Sequence, residues 1–326
     1  MHPNSSTHIL VTGAAGFIGS HLCDALLPKG YRVTGVDNLS FGSLDNLTWA
    51  YQHQLFDFQQ KEIQQLLKEC DQNIDVIVHL ASKKIPRYDH SFQTIDENIR
   101  NTQAVVEFAI KSKSRLLFAS TSDVYGKNTI TPYHEESDLV LGSSTVKRWA
   151  YAASKIASEH LILGAAQAHD LSAVIFRFFG TYGPRQHRSW WGGPQSVFID
   201  QVLQNEPIEI HGDGQQVRSF VYIDDLINGI VQTIDKPEIK GIYNLCTKPC
   251  DAVSIKQLAC QIHKLIRPNE TIKIKYIPYS TFGRYEDVMR RTGLFDKAQN
   301  DFGFMPQTDL ITGLLKTIEW HRSVKG

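Results

Sequence analysis

Apolar residues in the first half of the chain fall into short continuous runs, separated by longer stretches in which they recur every three or four positions. Residues 8–11, 31–36, 74–80, 115–119 and 173–179 are runs of strand length, the pattern of parallel strands buried on both faces. The stretches 94–110 and 148–168 carry the helical pattern, and a helix after the first strand runs to about Leu27, where Pro28 and Gly30 stop it. Strands alternating with helices predict an α/β fold with a Rossmann-type doubly wound parallel sheet and right-handed crossovers. The second half is less regular. Residues 182–193 hold six Gly, Pro and Trp residues and read as a loop, shorter elements come after it, and an amphipathic helix over 309–321 comes last. The reading is a first domain over 1–177 and a smaller C-terminal α/β lobe, mainly 178–326, with segments near 219–246 returning to the first domain. No repeat or flexible linker separates them, so the boundary is packed.

The chain has 326 residues, of which 42% are hydrophobic and 21% charged, and its formal net charge is zero. That balance gives no broad electrostatic reason to expect nucleic acid or an acidic membrane as a partner. The polar start lacks the apolar run of a signal peptide, and nothing approaches the roughly 20 apolar residues of a membrane span. The five cysteines are scattered, and Cys246 and Cys250, the only close pair, have no second pair to complete a metal site. A cytoplasmic protein with reduced thiols and no metal is expected.

The first strand runs into Thr12-Gly13-Ala14-Ala15-Gly16-Phe17-Ile18-Gly19 and then a helix. A glycine-rich turn in that context lets the backbone approach a pyrophosphate and presents free N–H groups at a helix start. Asp37 ends the second strand, about 20 residues on, where a carboxylate accepts hydrogen bonds from ribose hydroxyls and repels a 2′-phosphate. The expected cofactor is therefore NAD rather than NADP. Asp57, by position, is a candidate partner for the adenine amino group.

Tyr151 and Lys155 lie four apart on one helix face. A free phenol, with a pKa of about 10, is a poor base. A neighbouring ammonium stabilises the phenolate, so the pair can take a hydroxyl proton while hydride leaves.

With these residues in place the chain resembles the extended short-chain dehydrogenase/reductase family that modifies nucleotide sugars. The matching stretches are TGAAGFIG (12–19), GVDNLS (35–40), HLAS (79–82), ASTSDVYG (119–126), YAASK (151–155), RFFGTYGPR (177–185) and GDGQQVRSFVYIDDL (212–226). They run in family order and cover nearly the whole chain. The resemblance implies oxidation of the sugar at C4 by bound NAD, which is often regenerated within one cycle. Thr121 would bond O4, Tyr151 would be the base and Lys155 would hold the nicotinamide ribose. Cofactor contacts would come from Gly13, Gly16, Phe17, Ile18, Gly19, Asp37, Asn38, Asp57, Phe58, Leu80, Ala81, Ser82, Asn98, Ser120, Tyr151 and Lys155. The helices over 94–110 and 148–168 would form a homodimer interface.

The C-terminal lobe would bind the nucleotide sugar. Arg218 matches a phosphate-contacting arginine of the family, and Arg284 and Arg291 lie in a further matching segment, 283–298, where either can supply a second contact. An arginine fork suits a diphosphate because it bonds two oxygens at once. Lys84, Ser122, Gly180 and Arg185 complete the expected substrate contacts. Gly180 stands where family members often carry an asparagine that contacts the ligand. Trp190-Trp191 is an aromatic insertion that can stack on the ligand, close over it as a lid, or serve as a packing wedge.

The step after oxidation depends on the residues next to Thr121. The dehydratase scheme uses an Asp-Glu pair, and here Ser122-Asp123 replaces it. UDP-glucuronate decarboxylases carry Thr-Ser-Glu, and Thr121-Ser122-Asp123 is one methylene shorter. The segment 145–155 and Arg291 also look most like the decarboxylase side, and Asp123 joins Thr121, Tyr151 and Lys155 as a catalytic candidate. The leading reading is a UDP-sugar decarboxylase or 4-epimerase. A 4,6-dehydratase, a C4 dehydrogenase and a non-catalytic NAD-binding regulator stay open, although the intact Thr121, Tyr151 and Lys155 argue against the last.

Overall fold

The computed structural model describes residues 7–84 and 91–324. In chain order the first half consists of β1 (His8–Thr12), α1 (Phe17–Leu26), β2 (Arg32–Asp37), β3 (Phe56–Gln60), α2 (Ile63–Glu69), β4 (Val76–His79), α3 (Ser91–Ser112), β5 (Arg115–Thr121), α4 (Trp149–His169) and β6 (Ala173–Phe178). The second half continues with β7 (Gly180–Tyr182), α5 (Pro194–Leu203), β8 (Ile208–His211), β9 (Val217–Arg218), β10 (Phe220–Tyr222), α6 (Ile223–Ile234) and β11 (Gly241–Leu245). The last elements are β12 (Val253–Ser254), α7 (Ile255–Ile266), β13 (Ile274–Ile277), β14 (Arg290–Arg291), α8 (Asp296–Phe302) and α9 (Leu310–Ser323).

Seven strands form one parallel sheet in the order β11-β6-β5-β4-β1-β2-β3. Every residue of β1, β4 and β6 is buried, because helices cover both faces and leave no solvated side to reward an alternating pattern. Ile63, Leu66 and Leu67 of α2, Val105, Val106 and Ala109 of α3, and Ile162 and Ala165 of α4 pack one face. Leu22 and Leu26 of α1 and the apolar side of α6 belong to the core of the other. The fold is thus the Rossmann-type doubly wound sheet.

One segment departs from the sequence reading, and the return of a later segment to the main sheet agrees with it. Residues 56–60, polar at their end, form an edge strand, and α2 comes directly after it. After β6 the chain leaves the sheet through β7 to β10 and rejoins it through α6 and β11, which pairs with β6 from Gly241↔Val174 to Leu245↔Phe178; β12, β13 and β14 then complete three small sheets, β10-β7, β12-β9-β14 and β13-β8. The strand order reverses between β1 and β4. The loops after them therefore diverge, leaving a crevice at the carboxyl ends of the strands.

Candidate active site

A cleft of about 790 Å³ opens at that crevice, a volume in the usual range for small-molecule sites. Its floor is the turn between β1 and α1. Gly13 has φ +73°, and a Cβ there would press on the Ala81 backbone of the neighbouring loop, so the turn and the close approach both call for glycine. A Cβ at Gly19 would overlap the Gly13 carbonyl. No side chain caps α1 and its first turn has no acidic residue, which leaves N–H groups free for an anion. Gly13, Gly16, Phe17, Ile18 and Gly19 all line the cleft.

At one end Asp37 closes β2. Its carboxylate accepts the Ala15 N–H at 3.1 Å and the Leu39 N–H at 2.8 Å. Burial raises its pKa and those two N–H groups oppose the rise. Asn38 also lines the cleft and donates to Glu62 at 3.0 Å. The adenine expectation needs correcting: Asp57 lies inside β3, opposite Thr34, where it accepts the Gln59 side-chain amide at 2.9 Å. Phe58 packs edge-on against Tyr51. Neither lines the cleft. Lys61, Glu62 and Ile63, beyond the strand end, do. A glycine cradle with no room for side chains, an uncapped helix start and a fixed carboxylate fit a dinucleotide. NAD is therefore expected to raise the melting temperature more than NADP does in a thermal-shift titration, and equal stabilisation would refute the role of Asp37.

At the other end β5 delivers Thr121 and α4 delivers Tyr151 and Lys155, one helical turn apart on the face toward the sheet. The Tyr151 hydroxyl meets the Ser82 and Thr121 side chains. Burial pushes its pKa up, Asp123 adds to that, and the two hydrogen bonds oppose it. Lys155 is buried, donates to the Ala119 carbonyl at 2.8 Å and lies 4.5 Å from the centre of the Phe118 ring. Burial lowers its pKa to about 7, against the pull of Glu159. Leu80, Ala81 and Ser82 line the cleft, as do Ser120, Thr121 and Lys84 at its rim.

Two expected cofactor contacts have side chains engaged within the protein. Asn98 is buried outside the cleft wall, where it accepts the Lys83 N–H at 2.8 Å and donates to Lys83 O and Ser154 Oγ, each at 3.0 Å. It shapes the loop that carries Ser82. The Ser120 hydroxyl turns inward and donates to Glu159.

Beyond Thr121 lies a chain of alternating charges. Asp123 pairs with Arg291 and with Arg148, the latter at 3.0 Å. Arg148 also reaches Asp287 at 3.0 Å, and Arg218 meets the same carboxylate at 2.9 Å. Tyr279 donates to the second oxygen of Asp287 at 2.5 Å. Burial pushes the Asp123 carboxyl up, but Arg291, Arg148, Arg218 and Lys84 outweigh it and hold the group below the usual range. Asp287 is lowered further by Arg218 and Arg148, again against burial. For Arg218 burial dominates and brings the pKa to about 10. Among the described residues this chain holds three guanidiniums against two carboxylates, a surplus of one positive charge.

The remaining substrate candidates separate. Arg291 belongs to this cluster, while Arg284 is exposed and donates to Thr145 Oγ1 at 2.7 Å. Arg185 lines the cleft, paired with Asp24 of α1 at 2.7 Å, whereas Arg218 and Arg291 are not among the residues lining it. Ser122 is buried behind the wall. A Cβ at Gly180 would meet the Ser219 carbonyl and the Phe220 ring, so the space of an asparagine is filled. Trp190 is the packing wedge, stacked on His211 at 3.9 Å and edge-on to Phe198. Trp191 reaches the cleft and touches Phe41, centroids 4.4 Å apart. Arg148, Asp287 and Tyr279 are additions to the residues expected from sequence. Arg148 stands three residues before Tyr151, a spacing that could have marked it as sharing that helix face, whereas Asp287 carries no local signal.

A family model described as the NAD-dependent epimerase/dehydratase family matches residues 9–246. The chain is 32% identical over 323 residues to UDP-N-acetyl-alpha-D-glucosaminuronate decarboxylase of Bacillus cytotoxicus, covering 97% of this chain and 98% of that one. It is 33% identical over 317 residues to UDP-glucuronic acid decarboxylase 1 of Xenopus tropicalis, covering 96% and 72%. Among solved structures, UDP-glucuronic acid 4-epimerase from Bacillus cereus in complex with UDP-glucuronic acid and NAD superposes with a TM-score of 0.85. That alignment covers 98% of this chain and 100% of the other at 29% identity.

Proposed function

The chain belongs to the NAD-dependent epimerase/dehydratase family, and on that footing we propose that this NAD-dependent enzyme oxidises a UDP-activated uronic acid at C4 and then decarboxylates it. The observation that carries the acid substrate is the surplus positive charge of the Arg291–Asp123–Arg148–Asp287–Arg218 chain. Diphosphate and uronate are both anions, and a buried guanidinium binds them far better than a neutral wall does. The similarity to two decarboxylases of UDP-uronic acids supports the same reading.

Asp37, the glycine turn and the start of α1 would hold NAD, which when bound supplies the hydride acceptor. Thr121 and Tyr151 bracket one point in the cleft and would flank the sugar O4. Tyr151 takes the O4 proton as C4 becomes a ketone, and the Lys155 ammonium stabilises the phenolate that results. A C4 ketone lies β to the C6 carboxylate, so loss of carbon dioxide leaves an enolate whose charge rests on O4, beside the Tyr151 and Thr121 hydroxyls. A proton taken up at C5 restores the ketone, and the hydride removed at the start would then return to C4 while Tyr151 gives its proton back to O4. Asp123 stays ionised and directs Arg291 and Arg148. It is the orienting carboxylate of the sugar end, and the lowered pKa makes it a poor proton donor. The similarity to a UDP-glucuronic acid 4-epimerase favours epimerisation of the same acid as the second reading.

The direct test is incubation with UDP-glucuronate, UDP-N-acetylglucosaminuronate and UDP-glucose, with products identified by mass spectrometry. Decarboxylation removes the mass of carbon dioxide from one of the acids. An isomer of unchanged mass supports the epimerase instead, and reaction of UDP-glucose alone would overturn the acid substrate. We assign the diphosphate to Arg218. Arg218→Ala is expected to weaken UDP binding by roughly 1.5–3 kcal/mol in calorimetry, and unchanged affinity would place the diphosphate elsewhere.

A two-part chain fits this division of labour: we assign cofactor binding mainly to residues 1–177 and the nucleotide sugar mainly to 178–326. Phe92 and Ile95 of α3 and Leu161 and Leu163 of α4 are exposed apolar side chains, which supports a homodimer through those helices. No helix among the described residues is long and apolar enough to cross a membrane. All five cysteines are free, in keeping with a cytoplasmic setting.

A further inference from the structure

The Gly- and Trp-rich segment 182–193 has a role beyond carrying Arg185. Gln186 is buried and staples the loop to itself, donating to Thr181 O at 2.9 Å and to Gly192 O at 2.5 Å. Arg185 ties it to Asp24 of α1 at 2.7 Å, and Arg188 grips Asp200 of α5 through two bonds of 2.8 and 2.6 Å. The loop is therefore anchored to α1 on one side and to α5 on the other. Trp191 projects from it onto Phe41, which sits four residues past Asp37. The Phe41 segment is itself tied to the glycine turn, with Ser43 N–H at 3.1 Å and the Asn46 side-chain amide at 2.9 Å both bonding Ala15 O. Phe41 is 46% exposed, yet both rings line the cleft. Two aromatic groups, 150 positions apart in sequence, meet across the opening that serves the ribose-selecting end.

We propose that Phe41 and Trp191 form a two-ring clasp that binds the dinucleotide cofactor by closing the cleft over its adenosine half. The rings add apolar area and shape to a wall that already carries Ile18, Val36, Ile63 and Leu80 beside the Asp37 carboxylate. Parting them exposes both faces to water, and that cost falls on every release of cofactor. The proposal rests on the NAD reading and extends it. A cofactor that must return its hydride to the same sugar gains nothing from leaving between half-reactions, and the clasp lengthens its stay.

The test uses the holoenzyme loaded with NAD. Release is monitored by trapping free NAD with a second dehydrogenase, and independently by the change in tryptophan fluorescence. An aromatic pair of this kind supports a roughly three- to tenfold effect. Trp191→Ala and Phe41→Ala are each expected to speed release by that factor, and Trp191→Phe to stay near wild type because it keeps a ring. The double variant is expected to release no faster than either single one, since both remove the same contact. Wild-type release from Trp191→Ala, or single effects that multiply in the double variant, would overturn the clasp. A wild-type enzyme that takes up no NAD would instead overturn the cofactor reading, a failure visible before any variant is made.

Discussion

Tyr151→Phe is expected to cut turnover by about 10²- to 10⁴-fold, the usual cost of losing a general acid–base group, while leaving NAD binding close to wild type. The two effects separate because the substitution removes one oxygen and keeps the ring. The ring is carried by α4 in the wall of the cleft, so the packing survives. The hydroxyl is the atom that meets Ser82 and Thr121, and no other phenol lines the cleft among the described residues. Lys155, with its pKa brought to about 7 by burial, cannot take over the proton from where it stands, bonded to Ala119 O. Turnover measured by product mass, with NAD affinity by calorimetry on the same preparation, checks both halves. A variant retaining most of its activity would move the proton transfer to another group.

The second large effect is at Asp123. Asp123→Asn keeps the shape and removes the charge that two guanidiniums share. Hydrogen bonds to charged groups contribute roughly 1.5–3 kcal/mol each, so final product is expected to fall about ten- to a hundredfold. Oxidation at C4 needs only Thr121, Tyr151 and Lys155 and should continue. The enzyme then stalls after the first half-reaction, and bound NADH accumulates, visible in the reduced-nicotinamide absorbance band. Wild-type turnover in this variant would remove chemistry at C5 and C6 and leave epimerisation as the reading.

How far the sequence can be read depends on whether a residue's neighbours are close in the chain. The buried strands β1, β4, β5 and β6 announce themselves because both faces are covered and nearly every position is buried. Edge strand β3 does not, since Gln59 and Gln60 break the run. Without that element, position alone points Asp57 at the adenine; in the structure the strand continues three residues past it, and Lys61 and Glu62 reach the cleft instead. The strands that leave the main sheet in the second half are two to four residues long, too short to show any period. Tyr151 and Lys155 are legible because one helical turn links them. Arg148 meets Asp287 across 139 positions, and no spacing rule spans that distance. The choice between Arg284 and Arg291 likewise turns on which of them lies in the short strand beside β9, a pairing of Arg291 with Arg218 that the amino-acid pattern does not reveal.

The place of β11 bears on how the protein is made. A chain emerging from the ribosome completes six strands of its main sheet by Phe178, yet the seventh is not synthesised until residues 241–245. Throughout that interval β6 is an open parallel edge, with the backbone from Val174 to Phe178 lacking its native partner, and open edges invite pairing with other chains. The nascent N-terminal half is thus an unfinished product with an aggregation-prone rim. Folding assistance during synthesis should matter most in the window between Phe178 and Leu245, and should become dispensable once β11 has docked.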